Sequence, residues 1–275
     1  MTTPPRVSVP RNHPSPISLL TDFGLRDGYV GTMKGVILDI LPWGRILDIT
    51  HEIEPQNIRQ AAYVLATAAP YFPLETVHVV VVDPGVGSER RGIAVRTARA
   101  YYVGPDNGVF SRVYATEKVR EIRELASPYY RLPVVSNTFH GRDIFAPFAA
   151  HIAAGVSFHS IGPLVTDPVR LDWPQPQRLP DGSLQGEILY ADRFGNLISD
   201  IPVDWLEGAG DWRFELAGEV IEGFAQTYSR VARGELLALG GSEGLVEVAV
   251  REGNAAARLQ TGPGAPLIAR PGLVG

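Results

Sequence analysis

Residues 77–82 read Val-His-Val-Val-Val-Val and run without a break into Asp83-Pro84-Gly85. Branching at Cβ crowds a helix but suits a pleated surface, so this run predicts a strand. Apolar side chains at consecutive positions predict burial of both faces, as in a central strand of a parallel sheet covered by helices. A chain that contains such a strand is committed to a layered α/β architecture. The neighbouring segments agree. ISLLT (17–21) and RILDIT (45–50) read as further buried strands. YVGTMKGVILDIL (29–41), ended by Pro42, and NIRQAAYVLATAAPYF (57–72) carry helical spacing. GIAVRT (92–97) and AYYVG (100–104) have almost no connection between them, which predicts an antiparallel pair. IFAPFAAHIAAG (144–155) predicts a closing helix that stops on Gly155.

The texture changes in PLVTDPVRLDWPQPQRLPDGSLQGE (163–187), where prolines cluster and helical periodicity is lost. Beyond it, EILYAD, GNLISDI, WRFELAG, GELLALGG, GLVEVAV and PLIAR recur as short, turn-punctuated strands, the pattern of a small β-barrel or sandwich. The expected organisation is a loose arm at 1–16, an α/β domain at 17–165, a linker at 166–186 and a β-barrel domain at 187–275. With 275 residues, 45% hydrophobic, 20% charged and a net charge of −5, the chain carries no polycationic field, which argues against nucleic acid as a partner. There is no cysteine, so thiolate chemistry is excluded and a metal would need His or carboxylate ligands. No apolar run approaches the roughly 20 residues of a spanning helix and the N-terminus is a poor signal peptide, so cytoplasm is the expected location.

In open α/β sheets ligands gather outside the carboxyl ends of the strands. Asp22 and Asp83 both stand at such ends. The glycines of DPGVGS allow close backbone approach, but GVGSERRG leads into another strand and opens no helix, so phosphate binding is discounted. Of Arg90 and Arg91, one reads as a solvated surface charge, and the other, folded back over the loop onto Asp83, would hold that carboxylate ionised. His140 sits in NTFHGRDIF (137–145), an aromatic turn with Arg142 and Asp143 at the start of a helix, and is the leading histidine. His51, after the strand in DITHEIEPQN, is the second; His78, His151 and His159 read as structural. In YADRFGNLIS (190–199), Asp192, Phe194 and Asn196 fit an ordinary hairpin turn, and fit equally a purine site in which a ring stacks and an amide bonds the base edge.

Seven segments taken together resemble one family. LTDFGLRDGYVGTMKG (20–35), DITHEIEPQNIRQAA (48–62), VVDPGVGSERRGIAVR (81–96), YYVGPDNG (101–108), NTFHGRDIFAP (137–147), DRFGN (192–196) and GNAAA (253–257) are similar, in order, to the S-adenosylmethionine (SAM) hydroxide adenosyltransferases, or SAM hydrolases, relatives of fluorinase and chlorinase. The resemblance implies a Rossmann-like N-terminal domain and a C-terminal β-barrel. It also implies a homotrimer in which SAM or adenosine lies between domains of neighbouring subunits. It matches Asp83, Arg90 and His140 to the set that handles the attacking water, with Arg90 chosen over Arg91 by its spacing. It gives Asp22 the ribose hydroxyls and places Phe139 near the ribose. Asp192 takes the methionine amino group, Phe194 lines the adenine pocket and Asn196 bonds the base. Ser242 meets the carboxylate and the Ala255 backbone reads the adenine edge, with Tyr228 and Asn254 completing the substrate contacts. Glu243 follows Ser242 where fluorinase has an arginine.

Fluorinase places a tyrosine and, three residues on, a threonine beside its halide; Asp83 and Val86 occupy those positions here. A carboxylate repels a halide and orients water. Fluorinase also carries a long insertion where this chain has only Ala98 and Arg99. Both differences lead to the expectation of a hydrolase forming adenosine and methionine with no metal or other cofactor. A chlorinase-like halogenase, a non-catalytic adenosine or SAM binder, and a metallohydrolase on Asp22, Asp83, Asp106 and His140 are the alternatives.

Overall fold

In a computed structural model of the chain, residues 14–206 and 211–272 are described, and the chain divides into two compact units, 1–171 and 172–275. The first unit contains β1 (Ile17–Thr21), α1 (Tyr29–Ile40), β2 (Ile46–Thr50), α2 (Ile58–Ala68), β3 (Val77–Val81), β4 (Gly92–Thr97), β5 (Tyr101–Pro105), α3 (Ser111–Thr116), β6 (Val119–Glu124) and α4 (Ala146–Ala153). Its sheet runs β2-β1-β3-β5-β4-β6. β2, β1, β3 and β5 are mutually parallel, and β4 is antiparallel to β5 and to β6.

The valine run explains the layering. Val77, Val79 and Val81 pack on one side against Met33 and Ile37 of α1 and Phe148 and Ile152 of α4. Val80 and Val82 pack on the other against Ala61 and Leu65 of α2 and Val113 of α3. Consecutive apolar residues thus serve two helical layers, as a period of two requires. The helix expected over 57–72 ends at Ala68 because Pro70 interrupts it, leaving one 3₁₀ turn, Ala69–Tyr71. The helix expected at 144 is entered earlier, through a π turn at Gly141–Phe145 that closes on a hydrogen bond from the Ala146 N–H to the Gly141 carbonyl.

The second unit holds β7 (Gln177–Arg178), β8 (Leu184–Ala191), β9 (Leu197–Pro202), β10 (Trp212–Leu216), β11 (Glu219–Glu222), β12 (Leu236–Gly240), β13 (Leu245–Val250), α5 (Ala255–Leu259) and β14 (Pro266–Pro271). These strands pair antiparallel in the order β11-β10-β14-β8-β9-β13-β12, with β7 beside β8. A single parallel bridge between Ala225 and Leu239 nearly closes the sheet into a barrel. Alternate residues such as Phe214 and Leu216, Val246 and Val248, and Leu267 and Ala269 fill its interior. Among the described residues no helix is long and apolar enough to cross a membrane.

His78, the one polar residue of the valine run, bonds Ser18 Oγ through Nδ1 at 2.6 Å and stacks on Tyr102. Burial, with the Arg99 charge behind it, pulls its pKa down to about 3. The unfolded chain takes up this proton below its ordinary 6.5 while the folded chain refuses it until about pH 3. The contribution is therefore full above 6.5 and is lost as pH falls through that window. Denaturant unfolding should show stability declining from pH 6.5 towards pH 4, and His78→Gln should flatten that slope by up to about one proton.

Candidate active site

β1 and β3 are adjacent and parallel, and Thr21 pairs in register with Val81. The residues that follow them, Asp22 and Asp83, therefore leave the same carboxyl edge side by side. A cleft of about 410 Å³ opens there, lined by both acids and by Phe23, Tyr29, Gln56, Val86, Phe139, His140 and Gly141. A ligand cleft at this edge is where an open α/β sheet places one.

Asp83 is closed in by the loop that follows it. Arg90 Nε donates to Asp83 Oδ1 at 2.8 Å and its Nη2 donates to Oδ2, a fork that matches both carboxylate oxygens. The side chains are only 5% and 10% exposed. The guanidinium carbon also lies 5.2 Å from the centre of the Phe145 ring. Gly87 has φ +78°, and a Cβ there would collide with the Asn137 carbonyl oxygen. Only glycine lets the Asp83–Arg90 loop lie so close to the segment that carries His140.

Arg90 Nη2 also reaches His140 Nδ1 at 2.8 Å. A guanidinium can only donate, so Nδ1 presents its lone pair and the neutral ring carries its proton on Nε2. Burial, followed by the Arg90 charge, lowers the His140 pKa against the opposing pull of Asp83, Asp143 and Ser136. The ring is thus kept neutral at physiological pH. Its loop is fastened by Asp143, whose fully buried carboxylate accepts from the Ser136 N–H and Oγ at 2.8 Å and from Arg142 Nε at 2.6 Å. Burial pushes that carboxyl up, but the Arg142 and Ser136 hydrogen bonds hold it below its ordinary value. Phe139 meets Tyr29 edge-on at 5.2 Å and Phe23 at 5.8 Å, making an aromatic wall beside Asp22. Asp22 Oδ2 accepts the Gln56 N–H at 2.8 Å.

Arg91 points elsewhere. It is not the solvated residue that its place in the sequence suggested: it forks onto Asp106 Oδ2 (2.7 and 3.0 Å) and reaches Asp167 at 2.8 Å. Asp106 also accepts the Val169 N–H and does not line the cleft. The four-ligand metal alternative is therefore not assembled, and among the described residues no group of three or more His, Asp or Glu side chains is placed to hold an ion.

The other residues that the sequence singled out belong to the second unit. Asp192 Oδ1 accepts the N–H groups of Phe194 (2.9 Å) and Asn196 (2.8 Å), and Oδ2 accepts Asn196 Nδ2 at 3.1 Å. This tight turn holds Phe194 out with 74% of its surface exposed, while Asn196 is buried. Gly195 at φ +82° packs against Asn254, where a Cβ would clash. The Gly195 carbonyl accepts the Ala256 N–H at 2.9 Å, and Asn254 Oδ1 caps α5 through the Ala257 N–H at 2.7 Å. Asp192, Phe194, Asn196, Asn254 and Ala255 are so brought into one cluster. Tyr228 donates to Glu247 Oε1 at 2.6 Å, and Ser242 and Glu243 form an exposed turn after β12. Burial raises the Glu247 pKa, with Asp192 and Glu243 adding to the effect against the Tyr228 bond. Phe23, Tyr29 and Gln56 line the cleft although residue types did not single them out; the strand edge shared by β1 and β3 reveals them.

One unit is an α/β sheet with an acid–arginine–histidine cluster in a cleft at its carboxyl edge, and the other, following it along the chain, is an antiparallel barrel; this pairing defines the class. Residues 17–162 match the profile of the SAM hydroxide adenosyltransferase N-terminal domain and residues 186–268 that of the C-terminal domain. The chain belongs to this family. It is 38% identical over 262 residues to an (R)-S-adenosyl-L-methionine hydrolase of Thermus thermophilus, covering 92% of this chain and 98% of that one. A crystal structure of an uncharacterised conserved protein from Thermotoga maritima superposes with a TM-score of 0.87 at 38% identity, over 92% of this chain and 99% of that one. A fluorinase of an Actinoplanes species is more distant, 28% identical over 74% of this chain and 76% of its own length.

The two arginines should separate cleanly on substitution. Arg90→Lys keeps the charge and loses the fork, and should lower steady-state turnover by roughly 10²-fold. Arg91→Ala should lower the melting temperature, because Asp106 is left buried without its ion pair, while turnover per folded molecule stays within about twofold.

Proposed function

We propose that this protein hydrolyses SAM to adenosine and methionine by in-line attack of water on the ribose C5′. The observation that carries the proposal is the forked Asp83–Arg90 pair beside His140, at the position where the halogenating relatives have tyrosine. An anion there disfavours a halide and accepts a hydrogen bond from water. The family and the hydrolase relatives at 38–42% identity support the same reaction.

In the reaction the water oxygen forms a bond to C5′ as the C5′–sulfonium bond breaks. The electron pair leaves with sulfur, which departs as the neutral thioether of methionine, so no general acid is needed. The water proton passes to the Asp83 carboxylate, whose oxygens keep lone pairs beside the Arg90 bonds, and then to solvent, while His140, with Nδ1 taken by Arg90, orients the water through Nε2. Arg90 fixes the carboxylate and leaves His140 neutral. Asp22 holds the ribose hydroxyls and Phe139 packs on the sugar. Asp192, Phe194, Asn196, Tyr228, Ser242, Asn254 and Ala255 receive the methionine and adenine ends, supplied by the neighbouring subunit of a homotrimer. Holding substrate and water in an attack-ready geometry supplies much of the rate, and no metal takes part. The cytoplasm is the proposed location.

Incubation with SAM in fluoride- and chloride-containing buffer should release adenosine and methionine in equal amounts, unchanged after dialysis against a chelator. A halogenated deoxyadenosine would assign the protein to the other branch, and intact SAM would make it a binder. Asp83→Ala should lose roughly 10²–10⁴-fold in turnover while adenosine affinity stays within about threefold. Because the His140 pKa lies below its ordinary 6.5, kcat should stay level as pH falls to 6.5 and decline only below it, where protonation of Nδ1 breaks the bond from Arg90.

A further inference from the structure

His51 does not line the cleft, yet it is tied to it. The side chain is buried, with the residue 3% exposed. On one side Nε2 lies 3.0 Å from Asp48 Oδ1, close enough for an ion contact though off the axis of a hydrogen bond. On the other, Nδ1 lies 2.9 Å from Thr21 Oγ1. Asp48 also accepts from Lys34 Nζ at 2.7 Å. Burial pushes the Asp48 carboxyl up, but the Lys34 bond and the neighbouring His51 ring hold it below its ordinary value, so it is ionised and acts only as an acceptor.

These contacts support one arrangement of the protons. A carboxylate facing Nε2 puts the imidazole proton there, which leaves a lone pair on Nδ1. Thr21 must then donate its hydroxyl proton to Nδ1. Its oxygen lone pair is thereby turned to the Phe23 N–H, which it accepts at 3.2 Å. Thr21 is the last residue of β1, and the turn it opens carries Asp22 and Phe23 into the cleft. The Gly24 N–H returns to the His51 carbonyl at 2.8 Å, at a backbone φ of +63°. The far carboxylate oxygen of Asp22 is held by Gln56, five residues beyond His51, whose own φ is +67°. Both loops around Asp22 are thus pinned from His51 or from the segment it begins.

We infer that His51 is a positioning residue for the nucleoside: oriented by Asp48, its ring sets the Thr21 hydroxyl and through it the turn that presents Asp22 to the ribose. The inference rests on the reading of Asp22 as the ribose ligand. It separates two tasks within one cleft, since the Asp83–Arg90–His140 cluster that handles water has no hydrogen bond to this relay.

The test is calorimetric binding of adenosine together with steady-state kinetics on SAM. His51→Leu removes the acceptor for Thr21 and should weaken adenosine binding and raise KM by roughly tenfold, about the value of one lost hydrogen-bond relay, with kcat falling less than about threefold. His51→Asn places a carbonyl oxygen near the Nδ1 position and should recover most of the loss. Should His51→Leu fail to fold, Thr21→Val deletes the hydroxyl within the same shape and should give the same rise. In an Asp22→Ala background neither substitution should weaken adenosine binding further, because a residue that acts through Asp22 is non-additive with it. Undiminished affinity in folded His51→Leu, or a loss that adds fully to that of Asp22→Ala, overturns the inference while leaving the role of Asp22 intact. If Asp22→Ala alone leaves adenosine affinity unchanged, the ribose reading fails and the inference falls with it.

Discussion

The ion pair between Asp83 and Arg90 sets the geometry of everything around it. Two charges with side chains 5% and 10% exposed would be costly if either were unpaired. The fork removes that cost by matching both carboxylate oxygens, and the same guanidinium has a hydrogen left for His140 Nδ1. One arginine therefore fixes the orientation of the acid, the tautomer of the histidine and the distance between them. Phe145 covers it from the π turn, and Gly87 lets the loop approach Asn137. π turns of this kind recur at functional sites because the extra residue re-aims side chains that a regular helix would point elsewhere.

The sheet supplies what the pair cannot. Parallel pairing in register brings the ends of β1 and β3 to one edge, so Asp22 and Asp83 need no long-range device to find each other. Stiffness comes from helices packed on both faces of the valine strand. The second unit repeats the strategy on a smaller scale. A turn closed by Asp192 and braced by Asn254 holds the Phe194 ring exposed, and an aromatic ring kept out of a core is available for stacking.

Much of this was legible in the sequence because it rests on local physics. The double-sided burial of β3 follows from consecutive valines, the antiparallel pair β4–β5 from a connection too short for a crossover, and the barrel from turn-spaced strands. Short elements escaped: α3, β6, β11 and α5 span six residues or fewer and carry too few periods to rise above the background. The π turn escaped because Gly141–Phe145 reads as an ordinary helix start. Long-range pairings escaped most fully. Nothing near Arg91 announces Asp106 or Asp167, and the latter lies 76 residues away. His51 stood out by its place after a strand, but its link to Thr21 depends on which strands become neighbours, a property of the folded sheet alone.

The central claim is that water, held by Asp83, attacks C5′ directly. A single turnover in ¹⁸O-enriched water, followed by mass analysis of adenosine and of the protein, tests it. Direct attack puts the label in the 5′-hydroxyl of adenosine and none in Asp83. Unlabelled adenosine with ¹⁸O in the Asp83 carboxylate would mean that the acid itself had attacked the sugar, and would contradict the account.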